Sequence, residues 1–285
     1  MAKITNAFDT YGAQADREEL SDIIYNISPM QTPFLSSVGK SNVSNVVFDW
    51  QTEQLPTPSS SGKLEGFELS RSASTATVRE SNVCMISSRD ATVTGSQEAS
   101  DAAGKNSEMA HQLALMSKAL KRDMEEALVG NIAKVSGSAS AARQTRSLET
   151  WYQSNVNKAS DGANGSASAA RTNGTRRDLT EAMVKDVQQQ CFTNGAEPSI
   201  LMCGPYNKSV ISGFTGRSQA RQFVDANVVE ASVSIYSGDF GELKVVPSNR
   251  SREQAVHLLD PEFAGVAYLR DFETIDISTI GDAQT

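Results

Sequence analysis

The chain has 285 residues, 39% hydrophobic, 21% charged and only 6% aromatic, enough for one large domain or two ordinary ones with a real core. No apolar run approaches the roughly 18 residues a membrane crossing needs, and the start MAKITNAFDTYG lacks the regions of a signal peptide, so a soluble protein made in a cytoplasm, with no membrane partner, is expected. A net charge of −8 argues against nonspecific nucleic-acid binding as the main activity, and three separated cysteines without CxxC spacing (Cys84, Cys191, Cys203) indicate buried thiols rather than disulfides or zinc.

Residues 1–25 contain a short helix candidate, with Asp16 as N-cap ahead of Leu20, Ile23 and Ile24. The stretch NISPMQTPFLSSVGK (26–40) follows. Pro29 and Pro33 argue against a helix through it, because each removes a donor and extends the residue before it. Its apolar residues Ile27, Met30, Phe34, Leu35 and Val38 make it too sticky for a solvated tail. The reading is an extended arm that docks either on its own body or on a neighbour.

VSNVVFDWQTEQL (43–55) and SASTATVRESNVCMISSRDATVTG (72–95) have strand character and flank the loop PTPSSSGKLEG, which suggests a long, projecting β-hairpin. SEMAHQLALMSKALKRDMEEALVGN (107–131) is the clearest helix. Leu113, Met116, Leu120, Met124 and Leu128, with Met109, form one apolar stripe at steps of three or four. Such a helix is a rod of more than about 30 Å. Beyond it the heptapeptide GSASAAR occurs at 137–143 and again at 165–171, around a short helix candidate with Trp151 and Tyr152. Composition favours coincidence within flexible loops over a matched pair.

The last third alternates helix and strand. Residues 178–195 form a helix with Asp178 as N-cap, Glu181 completing a capping box and Gly195 as the stop. SILMCG is a buried strand, and PYNKSVISGF a helix with Pro205 in its first turn. Residues 228–248 are two strands around a turn at Ser237-Gly238-Asp239, and AVHLLD and GVAYLR complete the strands. The fold class is mixed α+β.

No catalytic constellation, cofactor motif or metal-ligand spacing emerges. His111 and His257 are single and read as structural. Asp239-Phe240-Gly241 matches the kinase magnesium triplet without the rest of a kinase, so it reads as hairpin turn chemistry. The acidic pairs Glu18-Glu19 and Glu125-Glu126 sit on helices, where a solvated role is the default. Charge is uneven: residues 101–177 hold eleven Lys/Arg (Lys118, Lys121, Arg122, Arg143, Arg146, Arg171, Arg176 and Arg177 among them) against seven Asp/Glu. Residues 178–285 hold eight against fifteen, so the first suspect for meeting a polyanion is 101–177.

The order arm, projecting hairpin, rod helix and α+β body resembles the major capsid proteins of tailed bacteriophages with the HK97-type fold, and more narrowly the phage SU10-like major capsid protein family. The matching residues are IxNISPxxTPFLSSxGK (Ile24 to Lys40), DWQTEQLPTPSSSGKLEG, LKRDMEEALVGN, FGELKVVPSNR and LLDPEFAGVAYLRDF, in that order. They span nearly the whole chain, with 132–177 unmatched. The resemblance implies an N-terminal arm (1–42) lying across neighbours through Ile27, Met30, Phe34, Leu35 and Val38. It implies an E-loop hairpin (43–94) carrying Trp50, Leu55, Lys63, Leu64 and Phe67 onto an adjacent subunit. A peripheral domain (95–135) holds the spine helix packed through Leu113, Met116, Leu120, Met124 and Leu128, and is continued by strands around 228–250. An axial domain (136–227) holds the Ser/Ala/Gly-rich loops, and closing strands (228–285) are shared by both domains.

The implied function is structural, not enzymatic: self-assembly as hexamers and pentamers into an icosahedral virion shell around double-stranded DNA, held nonspecifically, built in a bacterial host cytoplasm. Portal, scaffolding and decoration proteins are the implied further partners. Cross-linking through Lys63 is not expected, since no acceptor and acid are identified. The alternatives are an encapsulin-like compartment shell, a hydrolase with an atypical site, and a tail or fibre component.

Overall fold

The computed structural model describes residues 31–68, 73–100, 104–214, 234–277, 279–280 and 283–284. The helix candidate around Asp16 to Ile24, the pair Glu18-Glu19 and the arm residues Ile27, Pro29 and Met30 lie outside them. The chain divides into two compact units, one of residues 31–88 and 120–274 and one of residues 1–30, 89–119 and 275–285. The division cuts the rod helix, which the sequence reading assigns whole to one domain.

The larger unit opens with α1 (Pro33–Ser37), β1 (Gly39–Asn42), β2 (Val47–Thr52) and β3 (Val78–Val83). β2 and β3 pair antiparallel from Val47↔Val83 to Thr52↔Val78, so the hairpin exists. It is shorter than the 43–55 and 72–95 runs suggest, because the small and polar residues beyond Thr52 and before Val78 offer no pair to bury. α4 (Leu148–Trp151), α5 (Glu181–Thr193), β5 (Ile200–Cys203), α6 (Pro205–Ser212), β6 (Ile235–Gly238), β7 (Gly241–Pro247), β8 (Val256–Leu259) and β9 (Gly265–Tyr268) follow.

A four-stranded sheet in the order β6-β7-β5-β8 organises the body. β5 lies parallel to β7 and antiparallel to β8. Side chains alternate along a strand, and both faces of β5 are covered. Leu201 and Cys203 join Val184, Ile211, Tyr236, Leu243 and Val245 in one core. Met202 joins Phe34, Leu35, Val38, Val129, Leu259 and Val266 in the other. This explains why SILMCG carries no polar alternation. Of the strands expected around 228–250 to continue the peripheral domain, 228–233 lie outside the described residues, β7 pairs with β5 of the expected axial segment, and β6 pairs with β7. The β6–β7 turn is Asp239-Phe240, closed by Gly238↔Gly241 with Gly241 at φ +121°, so the kinase-like triplet is a hairpin corner.

α5 begins later than its sequence suggests. Its N-cap is Thr180, not Asp178, and Glu181 takes the Tyr236 hydroxyl (3.1 Å) and Lys185 (2.7 Å) instead of closing a capping box. Gly195, at φ +78°, follows the helix end as expected.

The smaller unit contains β4 (Val93–Thr94), α2 (Gly95–Glu98) and the first half of α3 (Glu108–Val129), with β10 (Thr279–Ile280) and β11 (Ala283–Gln284). Its strands run antiparallel in the order β10-β11-β4. Ser107 caps α3 by accepting from Ala110 N–H (3.1 Å), and one Glu98 carboxylate oxygen accepts from Glu108 and Met109 N–H (3.0 Å each).

Along α3, Leu113, Met116, Leu120, Met124 and Leu128 are half-buried, and Met124 and Leu128 pack on a core cluster. The fully buried residues are Glu125 and Val129, so the solvated reading holds for Glu126 and fails for Glu125. The two GSASAAR segments also form a matched pair, against the favoured coincidence. Each is closed by a backbone bridge, Val135↔Gln144 and Ala163↔Thr172. Each holds the same inner bond, Ser138 N–H to Ala141 O (2.9 Å) and Ser166 N–H to Ala169 O (2.8 Å).

Candidate assembly surfaces

Pro33 stands at the first position of α1, where a helix has no use for its N–H, and Thr32 offers no side-chain cap. Two donors remain orphaned, and both go to one carboxylate 90 residues away. Phe34 N–H donates to Glu125 Oε1 (2.8 Å) and Leu35 N–H to Oε2 (2.9 Å). The next donor, Ser36 N–H, reaches Thr32 O (3.1 Å). The expectation of no helix over 26–40 is therefore corrected for 33–37: a proline breaks a helix interior but not its start. Burial raises the Glu125 carboxyl above the ordinary range, and the two backbone donors partly offset that.

This capped turn drops Phe34, Leu35 and Val38 into the chain's own core, 6%, 9% and 8% exposed. β1 then pairs parallel with β9 from Gly39↔Gly265 to Asn42↔Tyr268. As contacts to a neighbour these three residues are corrected: their side chains are already covered by Val129, Met202, Leu259 and Val266. Each such burial contributes about 1.5–3 kcal/mol within the subunit.

The hairpin presents the opposite situation. Leu55 is 95% exposed and Leu64 85%, with Phe67, Val78 and Ile86 also exposed. A turn closed by Phe67 N–H to Leu64 O (3.1 Å), with Gly66 at φ +81°, brings Lys63 Nζ 5.7 Å above the Phe67 ring. The base of the hairpin is held firmly. Trp50 packs on Trp151 (5.3 Å between centroids), whose other contact is the Arg146 guanidinium at 3.7 Å. Arg146 N–H donates to Asn82 Oδ1 (2.9 Å), its guanidinium to Thr150 O (2.6 Å), and it faces Glu80 at 3.7 Å. Among the basic residues of 101–177, Arg146 is therefore a buried anchor rather than a surface charge. Trp50, expected on the projecting loop, belongs to this anchor.

Sequence reasoning missed Glu125, Arg146 and Glu149, which pairs with Arg252 at 2.8 Å. All three are buried, and the partners of Glu125 and Glu149 lie far off in sequence, as do Asn82 and Glu80 beside Arg146. Cys191 and Cys203 are buried free thiols as expected, whereas Cys84 is half-buried. Among the described residues no group of three His, Cys, Asp or Glu is placed to hold a metal ion. No described helix is long and apolar enough to cross a membrane.

The described subunit is thus mixed α+β, with two cores and an apolar hairpin held at its base. The chain belongs to the SU10 major capsid protein family, whose model matches residues 3–285. It is also similar to the major capsid protein of Escherichia phage Phieco32, with 24% identity over 247 residues, 74% of this chain and 70% of that relative.

Proposed function

We propose that this major capsid protein assembles, as hexamers and pentamers in the HK97-type arrangement, into a closed icosahedral head shell around double-stranded DNA. The observation that carries the proposal is the hairpin. A chain of this family holds Leu55, Leu64 and Phe67 in solvent on a rigidly anchored base, and apolar area displayed this way gains about 25 cal/mol per Å² when a neighbour covers it. Copies of the chain are the partner, and the virion is where it works.

Size exclusion and negative-stain microscopy of the expressed full chain test this, with closed hollow particles as the expected result. Monomers or open tubes would overturn it. Shortening 56–66 should weaken particles while leaving the unfolding midpoint of the subunit within about 1 °C, since this loop buries little in its own chain. The arm is tested by deleting 1–30, because a cut at residue 40 would remove Phe34, Leu35 and Val38 from the subunit's own core.

A further inference from the structure

The larger unit contains a cleft of about 1000 Å³ between α4, the 171–177 segment, α5 and the 252–258 strand region. Five basic side chains (Lys158, Arg171, Arg176, Arg177, Arg252) and three acidic ones (Glu149, Asp178, Glu253) line it. At its inner end is His257, 2% exposed, with its ring 5.8 Å from that of Tyr152. Neither ring nitrogen of His257 and not the Tyr152 hydroxyl has a hydrogen-bond partner among the described residues. Buried polar groups are nearly always paired, so the Tyr152 hydroxyl and the His257 ring, both without partners in one cleft, point to a ligand that meets the hydroxyl and one ring nitrogen.

The charges around His257 define what fits there. Arg171 and Arg252 both act on His257, and the Glu149 carboxylate, which also has a buried unpartnered oxygen, binds Arg252 from the α4 side. Arg252 spends its other terminal nitrogen on Gln254 (2.8 Å). The Arg171 side chain has no ion-pair or hydrogen-bond partner among the described residues, although its backbone is fixed by Asn131 through two bonds of 2.7 Å. Around His257 two guanidiniums therefore stand against the single Glu149 carboxyl, whose own burial raises it, so this end of the cleft favours an anion.

We propose that the inner end of this cleft binds a tetrahedral oxyanion of the phosphate class, held by the Arg171 fork, the His257 N–H and the Tyr152 O–H. A carboxylate has two oxygens for these donors, whereas a phosphate has three or four and takes a guanidinium fork side-on. The source is free phosphate or a small phosphate ester, since His257 lies 2% exposed behind the cleft walls. Burial and the two guanidiniums hold His257 down to about 4. A bound dianion reverses that sign, so binding draws a proton from solvent onto His257. Glu149 on α4, Tyr152 just past its end, Cys191 on α5, Arg171 and Arg252 are the titratable and charged groups facing this pair.

The test is calorimetric titration of the full chain with inorganic phosphate, with pyrophosphate and with a short DNA duplex, for the natural sequence, R171Q and R143Q. Arg143 is the equivalent residue of the other GSASAAR segment and lies outside the cleft. Phosphate should bind to the natural chain and to R143Q alike, and at least tenfold more weakly to R171Q. The His257 imidazole signals should shift with phosphate while those of His111 stay put. No phosphate binding, equal weakening by both substitutions, or Arg171-dependent binding of the duplex alone would overturn the proposal. Because these readouts use unassembled protein, they stand or fall separately from shell formation.

Discussion

Two helix starts in this chain borrow a carboxylate from elsewhere, and the two contacts differ in sign. Glu98 reaches the first turn of α3 from ten residues away, near the surface, and the Ser107 hydroxyl with the Met109 and Glu108 amides holds its carboxyl below the usual range. Glu125 reaches α1 across 91 residues and is fully buried, and desolvation pushes its carboxyl up despite two equally short amide bonds. The contact is the same, an anion at the positive end of a helix. What differs is the water: burial removes more solvation than two N–H donors return.

Glu125→Ala should have the largest effect. It leaves Phe34 and Leu35 N–H buried without acceptors and loosens the turn that seats Phe34, Leu35 and Val38 on Val129 and Met202, so about 2–4 kcal/mol of unfolding free energy should be lost in denaturant titration. Amide exchange over 33–38 should rise with it. An unchanged midpoint would mean the carboxylate is not what holds α1. Glu125→Gln should cost less, about 1–2 kcal/mol, because the amide oxygen still accepts from one donor while its NH₂ faces the other.

The pH dependence sharpens the contrast. Glu125 has a raised folded value, so its contribution is fully present below the unfolded carboxylate value and is lost as pH rises through the folded one. The natural chain should therefore gain stability relative to Glu125→Gln as pH falls from 7 towards 4. Glu98 has a lowered folded value, so its contribution is present above the unfolded value and is lost as pH falls through the folded one. A paired series with Glu98→Gln should slope the opposite way. Parallel slopes would mean that burial does not set the sign. The smallest effect should come from Glu98→Ala, which exposes Glu108 and Met109 N–H to water that can replace the acceptor. Faster exchange confined to the first turn of α3, with 33–38 unchanged, is the expected signature.

Much of the scaffold was legible because it depends on near neighbours. β5, α6, β8 and β9 follow from short apolar runs bounded by Gly and Pro, and the rod helix follows from its spacing. The hairpin with its exposed tip follows from two β-rich stretches around a Pro/Ser/Gly loop. α1 was missed because Pro33 acts as a breaker or a starter according to whether the following donors find an acceptor, and that acceptor lies on another helix. The Asp178 capping box failed for a related reason: Glu181 has better partners in Tyr236 and Lys185. In the loops, identical heptapeptides adopted matching bridges, yet Gly165 lies against the Thr150 backbone while 138–142 face solvent.

The α+β class, the rod helix, the body strands and the family signature could be read from the chain alone, because periodicity, punctuation and adjacent residues encode them. It took the folded chain to show that Phe34, Leu35 and Val38 close their own subunit, that Glu125 and Arg146 are buried, and that Arg171 and His257 line one cleft. Burial and pairing are properties of residues far apart in sequence, and a side chain's charge, exposure and partner are set when the chain brings them together.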